Sequence, residues 1–376
     1  MPIGTTLLAD GRRIPNLAFG TGSVLKNHDA QAAVKAALDS GFRHVDTAQF
    51  YNNEESVGNA LREWLGDDSS AMNAKRDQVW VTTKYSGGEK GPLGELTESL
   101  GRLDLEYVDL YLIHGPWFVS GHLKSAWREM EEAQRRGLAK SIGVSNFEAS
   151  DLKELLKVAK MKPVVNQIHL HPYIYHSSLA TLNVCHEHGI VVEAYGSLFP
   201  ITQQPDGPVT AALKGPSKRL GASPGQVLFL WVRAKGAVVV TTTNKEERLK
   251  EYLQIGELGS LTGEEVRSID AAAQAQVIVD SSALGHKLKN DTFDVEKQDT
   301  QEELAPHEVR WILLRLIVCI CFLFSTHLFG AWITGVSLLC ISEPLLVLYF
   351  ACLVMFVREM YRLTVVVSRS RSLRRT

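Results

Sequence analysis

Between residues 16 and 242 a short β-branched run, a loop and an amphipathic stretch succeed one another eight times, and this repetition constrains the fold most. The runs are NLAFGTG (16–22), HVD (44–46), VWVTTK (79–84), VDLYLIH (108–114), AKSIGVS (139–145), VVNQIH (164–169), VVEAY (191–195) and AVVVTT (237–242). Helix-like segments such as ESVGNALREWL (55–65) and EASDLKELLKVAK (148–160) lie between them. Strands that alternate with helices pair in parallel, with both faces of the sheet covered. Eight such units in roughly 250 residues suit a closed (β/α)8 barrel better than an open sheet. No G-x-G-x-x-G follows any run, which argues against a Rossmann dinucleotide domain. Ahead of the first unit, TTLLADGRRIP reads as a hairpin about Asp10-Gly11 that plugs the bottom of the barrel.

On that fold the polar residues gather. Asp46, Lys84, His114, Ser145 with Asn146, Gln167 and Tyr195 each end a different run. In a barrel those ends share one face, the face that carries chemistry. One lone His or Lys at such a place is more often a satisfied core or rim residue; six coincident placements are not. An aspartate at a strand end needs a cation, and Lys84 can supply it. The same ammonium stabilises a phenolate, so the pairing predicts a Tyr51 pKa below its free value of ~10. A tyrosine so placed is a general acid for a carbonyl oxygen becoming an alkoxide, with His114 to orient the carbonyl or relay the proton. A reductant is still missing, and no metal motif or nucleophile elbow offers one, so a hydride-donating cofactor is required.

Charge and cysteine use bound the remaining possibilities. With a formal net charge of −2, no global basic field points to nucleic acid. MPIGTTLLADGRR lacks a basic stretch followed by an apolar core, so no secretion signal is read there. Cys185 alone precedes residue 300, which rules out a disulfide framework in that part. CHEHG (185–189) lacks the H-E-x-x-H spacing and reads as a solvated helix terminus, with no metal implied. Asn290-Asp291-Thr292 matches a glycosylation sequon without a secretory context.

The composition divides the chain into a barrel over 1–279, a polar linker over 280–310, one or two transmembrane helices over 311–357 and a basic tail over 358–376. Leu316 to Ser342 contains no Asp, Glu, Lys or Arg, enough to cross a bilayer at ~1.5 Å per residue. Glu343-Pro344 interrupts the run before Leu345–Val357. Three readings stay open: a helical hairpin (Ile312–Trp332 and Val336–Val357), a single span with Leu345–Val357 at the interface, or a segment misjoined to the barrel at the gene level. Arg310, Arg315 and the arginine-rich terminus put both flanks of a hairpin in the cytosol, with the barrel. Without a genuine anchor the expected location is cytoplasmic.

GFRHVDTAQFYNNEESVG (41–58), LIHGPW (112–117), KSIGVSNF (140–147) and PVVNQIHLHPY (163–173) together resemble the aldo-keto reductases, in particular the fungal type that reduces aldehydes and ketones with NADP(H). The resemblance runs from about residue 4 to 275. It implies Asp46, Tyr51, Lys84 and His114 as a catalytic tetrad with Tyr51 as proton donor. It also implies Ser145, Asn146 and Gln167 on a nicotinamide carboxamide, Tyr195 stacked on the ring, and Gly20, Thr21, Gly196, Ser197 and Leu198 near the cofactor. NADPH is the expected cofactor, with NADH use open. The same fold also serves as an NADP(H)-sensing regulatory subunit of membrane channels with little turnover, which is the alternative reading. Many such barrels act as monomers.

Three segments depart from the family pattern. VVVTTTNKEERLKE carries Arg248 at the family's arginine but Thr242 at its phosphate-gripping lysine. Thr243, Asn244 and Lys245 offer hydroxyl, amide and charge in its place. GTG (20–22) replaces GTW, so Gly22 is expected to remove an aromatic wall and widen the pocket; Trp117 either compensates or is an ordinary rim aromatic. AYGSLFP (194–200) replaces AYSPLG, which weakens the expectation for Gly196, Ser197 and Leu198. The loops that choose a substrate therefore leave its identity open.

Overall fold

The computed structural model describes residues 3–66 and 76–275. A two-stranded hairpin, β1 (Thr5–Leu7) and β2 (Arg13–Pro15), precedes the barrel strands. These are β3 (Leu17–Gly20), β4 (His44–Asp46), β5 (Trp80–Tyr85), β6 (Val108–Ile113), β7 (Ala139–Ser145), β8 (Val165–His169), β9 (Val191–Tyr195) and β10 (Val238–Thr241). They close in sequence order, β10 returning to β3, and every pairing is parallel. The eight expected runs thus become the eight barrel strands, with ends shifted by a few residues at most.

Alternation along the strands divides the side chains between two cores. Val45, Val81, Tyr85, Tyr111, Ile113, Val144, Ile168 and Val239 face outward and join the apolar sides of the surrounding helices. Trp80, Leu110, Leu112, Val165 and Val238 form a separate inner cluster with Leu8 and Ile14 of the hairpin. Burying each such side chain contributes roughly 1.5–3 kcal/mol. The hairpin therefore plugs the N-terminal end, as expected: Leu8 N–H donates to Arg12 C=O (2.8 Å), Gly11 takes a positive φ of 85°, and Ser141 donates to Asp10 Oδ2 (2.6 Å).

The helices are fixed by local chemistry as well as by their apolar faces. Ser223 and Gln226 form a reciprocal capping box on Pro224–Ala234, and Glu148 with Asp151 does the same for Ala149–Val158. CHEHG ends the helix Pro172–His188, and Gly189 caps it at φ 69°. Burial pushes the Cys185 thiol there up to about 11, so it stays protonated. Among the described residues no helix is long and apolar enough to cross a membrane. The expected linker, spans and basic tail over 280–376, and Asn290, lie outside the described residues.

Helix Glu54–Leu65 packs its Gly58 against the backbone of its neighbour Gly91–Leu103. A Cβ there would lie 2.6 Å from the Leu103 carbonyl oxygen and 2.8 Å from that of Arg102. Backbone atoms cannot yield as a flexible side chain can. Gly58→Ala is expected to lower stability by about 1–3 kcal/mol in urea unfolding, despite alanine's better helix propensity; a stabilised variant would contradict this packing.

Candidate active site

The ends of β4, β5 and β6, with the 3-10 turn Gln49–Tyr51 that follows β4, bring the expected tetrad together. Lys84 Nζ, fully buried, donates to Asp46 Oδ1 (2.7 Å) and to the Thr47 carbonyl (2.9 Å). Its third direction points to the Tyr51 hydroxyl at 3.4 Å. His114 Nε2 lies 3.4 Å from the same hydroxyl, and its Nδ1 is 2.7 Å from Ser86 Oγ. When the serine donates to Nδ1, Nε2 carries the imidazole proton toward the tyrosine.

Electrostatics favour the charged form of Lys84 and the neutral forms of His114 and Tyr51. Burial works against the Lys84 ammonium, but Asp46, Tyr51 and Glu193 together outweigh it, and its pKa is raised. Burial, followed by the charges of Lys84 and Lys26, brings His114 down to about 3, so the ring is neutral. Tyr51 corrects the sequence expectation. Its pKa is raised rather than lowered, because burial penalises the phenolate and Asp46 repels it, and together they exceed the pull of Lys84. Tyr51 therefore holds its proton, the state a donor needs.

Beneath the tetrad lies Glu193, a carboxyl that sequence reasoning missed. Gln167 Nε2 donates both to Asp46 Oδ2 (2.8 Å) and to Glu193 Oε2 (3.0 Å), bridging two buried carboxyls. Burial and the neighbouring Asp46 push Glu193 up to about 8. His44 Nε2 is 3.9 Å from Glu193 but bonds Thr82 Oγ1 at 2.9 Å, and burial brings it down to about 3. At neutral pH both are uncharged, so this contact is not an ion pair. The available signal was a lone acid in VVEAY, an otherwise uncharged buried strand. Ser86 carried no comparable signal.

The residues expected around a nicotinamide carboxamide are bonded to one another. Ser145 Oγ donates to the Gln167 carbonyl (2.8 Å), and Asn146 Nδ2 donates to the His114 carbonyl (2.9 Å) and to Ser145 Oγ (3.1 Å). The Tyr195 hydroxyl donates to Asn146 Oδ1 (2.8 Å), and one Tyr195 face stacks on His169 at 5.2 Å and 17°. Gln167 has committed its amide nitrogen, which leaves its carbonyl oxygen for a ligand. Thr21 and Ser197 also point inward: Thr21 Oγ1 contacts the Asp46 carbonyl and Asn53, while Ser197 Oγ bonds the Leu170 carbonyl. Gly20 pairs with Asp46 across the sheet.

Gly196, at φ 71°, brings its backbone against the His169 ring, and Leu198 precedes the short helix Phe199–Thr202. Thr243 Oγ1 accepts from the Lys245 N–H (3.0 Å), and Lys245 leads into helix Glu246–Leu253, which carries Arg248. Asn244 lies between them. Thr242 Oγ1 is buried with no hydrogen-bond partner among the described residues. An orphaned hydroxyl followed along the chain by a threonine, an asparagine and two cations fits a phosphate-bearing cofactor.

The pocket mouth departs from expectation at Gly22. The space beside its Cα is not open, because a Cβ there would meet Tyr51 Cζ at 2.4 Å. Trp117 is 61% exposed and lies 5.7 Å from Phe118, so it stands at the rim. Phe50, 51% exposed, and Phe118 flank the His114 ring at 6.2 and 6.1 Å.

Residues 16–204 match the model of the aldo/keto reductase family. An NAD/NADP-dependent indole-3-acetaldehyde reductase of Schizosaccharomyces pombe is 37% identical over 275 residues, 68% of this chain and 94% of that protein. The chain belongs to the aldo/keto reductase family. An NADPH-dependent alpha-keto amide reductase of Saccharomyces cerevisiae is 35% identical, over 70% of this chain and 88% of its own. Among solved structures, a Bombyx mori aldo-keto reductase in complex with NADP aligns with a TM-score of 0.63 and 29% identity, covering 71% of this chain and 92% of that one. As a member of this family, the chain is an NAD(P)H-dependent oxidoreductase.

Two measurements probe this geometry. Gly22→Ala forces a methyl against the Tyr51 ring, so carbonyl reduction should fall by up to about 10²-fold; unchanged turnover would show that the ring moves without consequence. The second concerns Glu193. An unfolded chain releases this proton near 4.5, while the folded protein holds it to about 8. Folding therefore becomes costlier as pH rises through that window, and the penalty is constant above it. Urea unfolding should show the native protein losing stability relative to Glu193→Gln from pH 5 to 8; parallel curves would contradict a neutral Glu193.

Proposed function

We propose that this reductase-family chain reduces aldehydes or ketones to alcohols, with Tyr51 as the proton donor and NADPH favoured over NADH. The observation that carries the reading is the Lys84 ammonium, held by Asp46 and facing the hydroxyl of a protonated tyrosine. When bound, NADPH supplies the hydride. Tyr51 Oη and His114 Nε2 then donate hydrogen bonds to a carbonyl oxygen, which fixes its orientation. As charge builds on that oxygen, Tyr51 gives up its proton, and the adjacent Lys84 stabilises the phenolate left behind. Asp46 keeps Lys84 charged and in place throughout.

On this reading Ser145, Asn146 and the Gln167 carbonyl oxygen hold the nicotinamide carboxamide, and Tyr195, backed by His169, stacks on the ring. Thr242, Thr243, Asn244, Lys245 and Arg248 hold the adenosine 2′-phosphate, which a hydroxyl and a bidentate arginine can grip without a second lysine. Phe50, Trp117 and Phe118 wall the substrate. The charge-free run 316–342 supports a further proposal, that the barrel is tethered to a membrane on its cytosolic side.

The test is NADPH oxidation by the full chain, followed by absorbance with a panel of aldehydes and ketones, beside Tyr51→Phe. Multiple turnovers that drop by about 10²–10⁴-fold in the variant are expected. Tight NADPH binding without turnover of any carbonyl would favour a cofactor-sensing regulatory subunit instead.

A further inference from the structure

The loop between β3 and the first helix, Gln31–Ser40, holds one cation at the mouth of the site. Asn53 Nδ2 donates to the Leu25 carbonyl (2.9 Å) and to that of Thr21 (3.1 Å). The Asn27 N–H donates to the Tyr51 carbonyl (2.8 Å), and Asn52 Nδ2 donates to Asn27 Oδ1 (2.8 Å). Both Asn27 and Asn52 take the left-handed conformation, at φ 61° and 52°, which permits these cross-links. Lys26 thus sits between two residues bonded directly to the segment that carries Tyr51. Its backbone is fixed by the same strand end that fixes the proton donor.

The Lys26 ammonium lies 3.6 Å from the centroid of the Phe50 ring, and Phe50 in turn lies 6.2 Å edge-on from His114. The ammonium therefore stands within about 10 Å of the His114 ring. No carboxylate of the described residues forms an ion pair with it. Asp29, the acid nearest in sequence, turns away and accepts the Gln31 N–H at 2.7 Å. The deeper cation, Lys84, is neutralised by Asp46 at 2.7 Å. Among the described residues Lys26 thus supplies an uncompensated charge beside an aromatic-walled mouth. A partly sheltered cation on an aromatic face still presents N–H donors outward, and a carboxylate is the group that uses them best.

We infer that the site selects carbonyl substrates that also carry a carboxylate, with Lys26 as the residue that binds the anion while the carbonyl lies between Tyr51 and His114. The inference rests on the reductase reading above and adds a substrate class to it. A carboxylate held across a benzene ring from the carbonyl fits within that separation of about 10 Å. Lys26 acts on binding, so its effect falls on KM more than on kcat.

The test uses the full chain with NADPH and para-carboxybenzaldehyde beside its methyl ester, two substrates that differ in charge at one end. The ratio of their kcat/KM values should favour the acid by on the order of tenfold at low salt and shrink as ionic strength rises. Lys26→Gln should abolish that ratio, Lys26→Glu should invert it, and Lys26→Arg should keep it. Reduction of both substrates with no preference in the native protein would overturn the inference and leave the reductase reading intact. So would a Lys26→Gln variant that slows both equally, or one that raises the KM for NADPH alone, since those effects assign Lys26 to the loop or the cofactor. Failure to reduce either substrate, or any other carbonyl, would overturn both readings together.

Discussion

The ion pair between Asp46 and Lys84 is the interaction on which the rest of the site depends. Taking either ion out of water costs several kcal/mol, and their attraction offsets this only when geometry is good and the remaining polar atoms are satisfied. Here the separation is 2.7 Å, the Thr47 carbonyl takes a second ammonium hydrogen, and Gln167 donates to the other Asp46 oxygen. The third ammonium hydrogen is left facing Tyr51. Satisfying the buried pair and aiming a cation at the phenol are therefore one geometric requirement. Loss of either partner would leave a buried charge unpaired, at a cost of about 3–5 kcal/mol, as well as removing the charge that faces the tyrosine.

The barrel interior is layered, with apolar and uncharged polar side chains beneath this ion pair. Hairpin residues Leu8 and Ile14 close the lower end on Trp80, Leu110, Val165 and Val238. Above them, His44 and Glu193 are buried and held uncharged at neutral pH chiefly by desolvation, with Thr82 and Gln167 as their neutral hydrogen-bond partners. A low-dielectric floor strengthens every field acting on the tetrad. It also raises the Tyr51 pKa, since the same exclusion of water disfavours the phenolate more than Lys84 favours it. The opposite expectation from sequence counted the neighbouring charge and not the burial.

Much of the fold was legible along the chain because its signal is periodic. Runs such as AKSIGVS and VVEAY are apolar or small on both faces apart from Lys140 and Glu193, as strands covered on both sides tend to be, and they became β7 and β9 without change of ends. Asp10-Gly11 announced the hairpin through the conformation glycine alone adopts easily. Asp46, Lys84 and His114 were legible because strand ends converge in any closed parallel barrel, and Tyr51 through its place after Asp46 in a segment that resembles the family's. Gly22 and Glu193 were not. The first looked like an opened pocket, yet Tyr51 from another strand end fills the space beside it. The second acquires meaning only where β8 and β9 pair Gln167 with Glu193.

Sequence by itself therefore determined the fold class, the order of the strands and the identity of the four groups that meet. Those follow from local periodicity and from residue type, properties that a chain carries along its length. Tertiary structure alone decided which groups stay charged, that a glutamic acid lies under the Asp46–Lys84 pair, and that Lys26 has no ion-pair partner among the described residues. Each of these depends on what excludes water from a given atom and on contacts between residues distant in sequence. Barrel closure creates both at once.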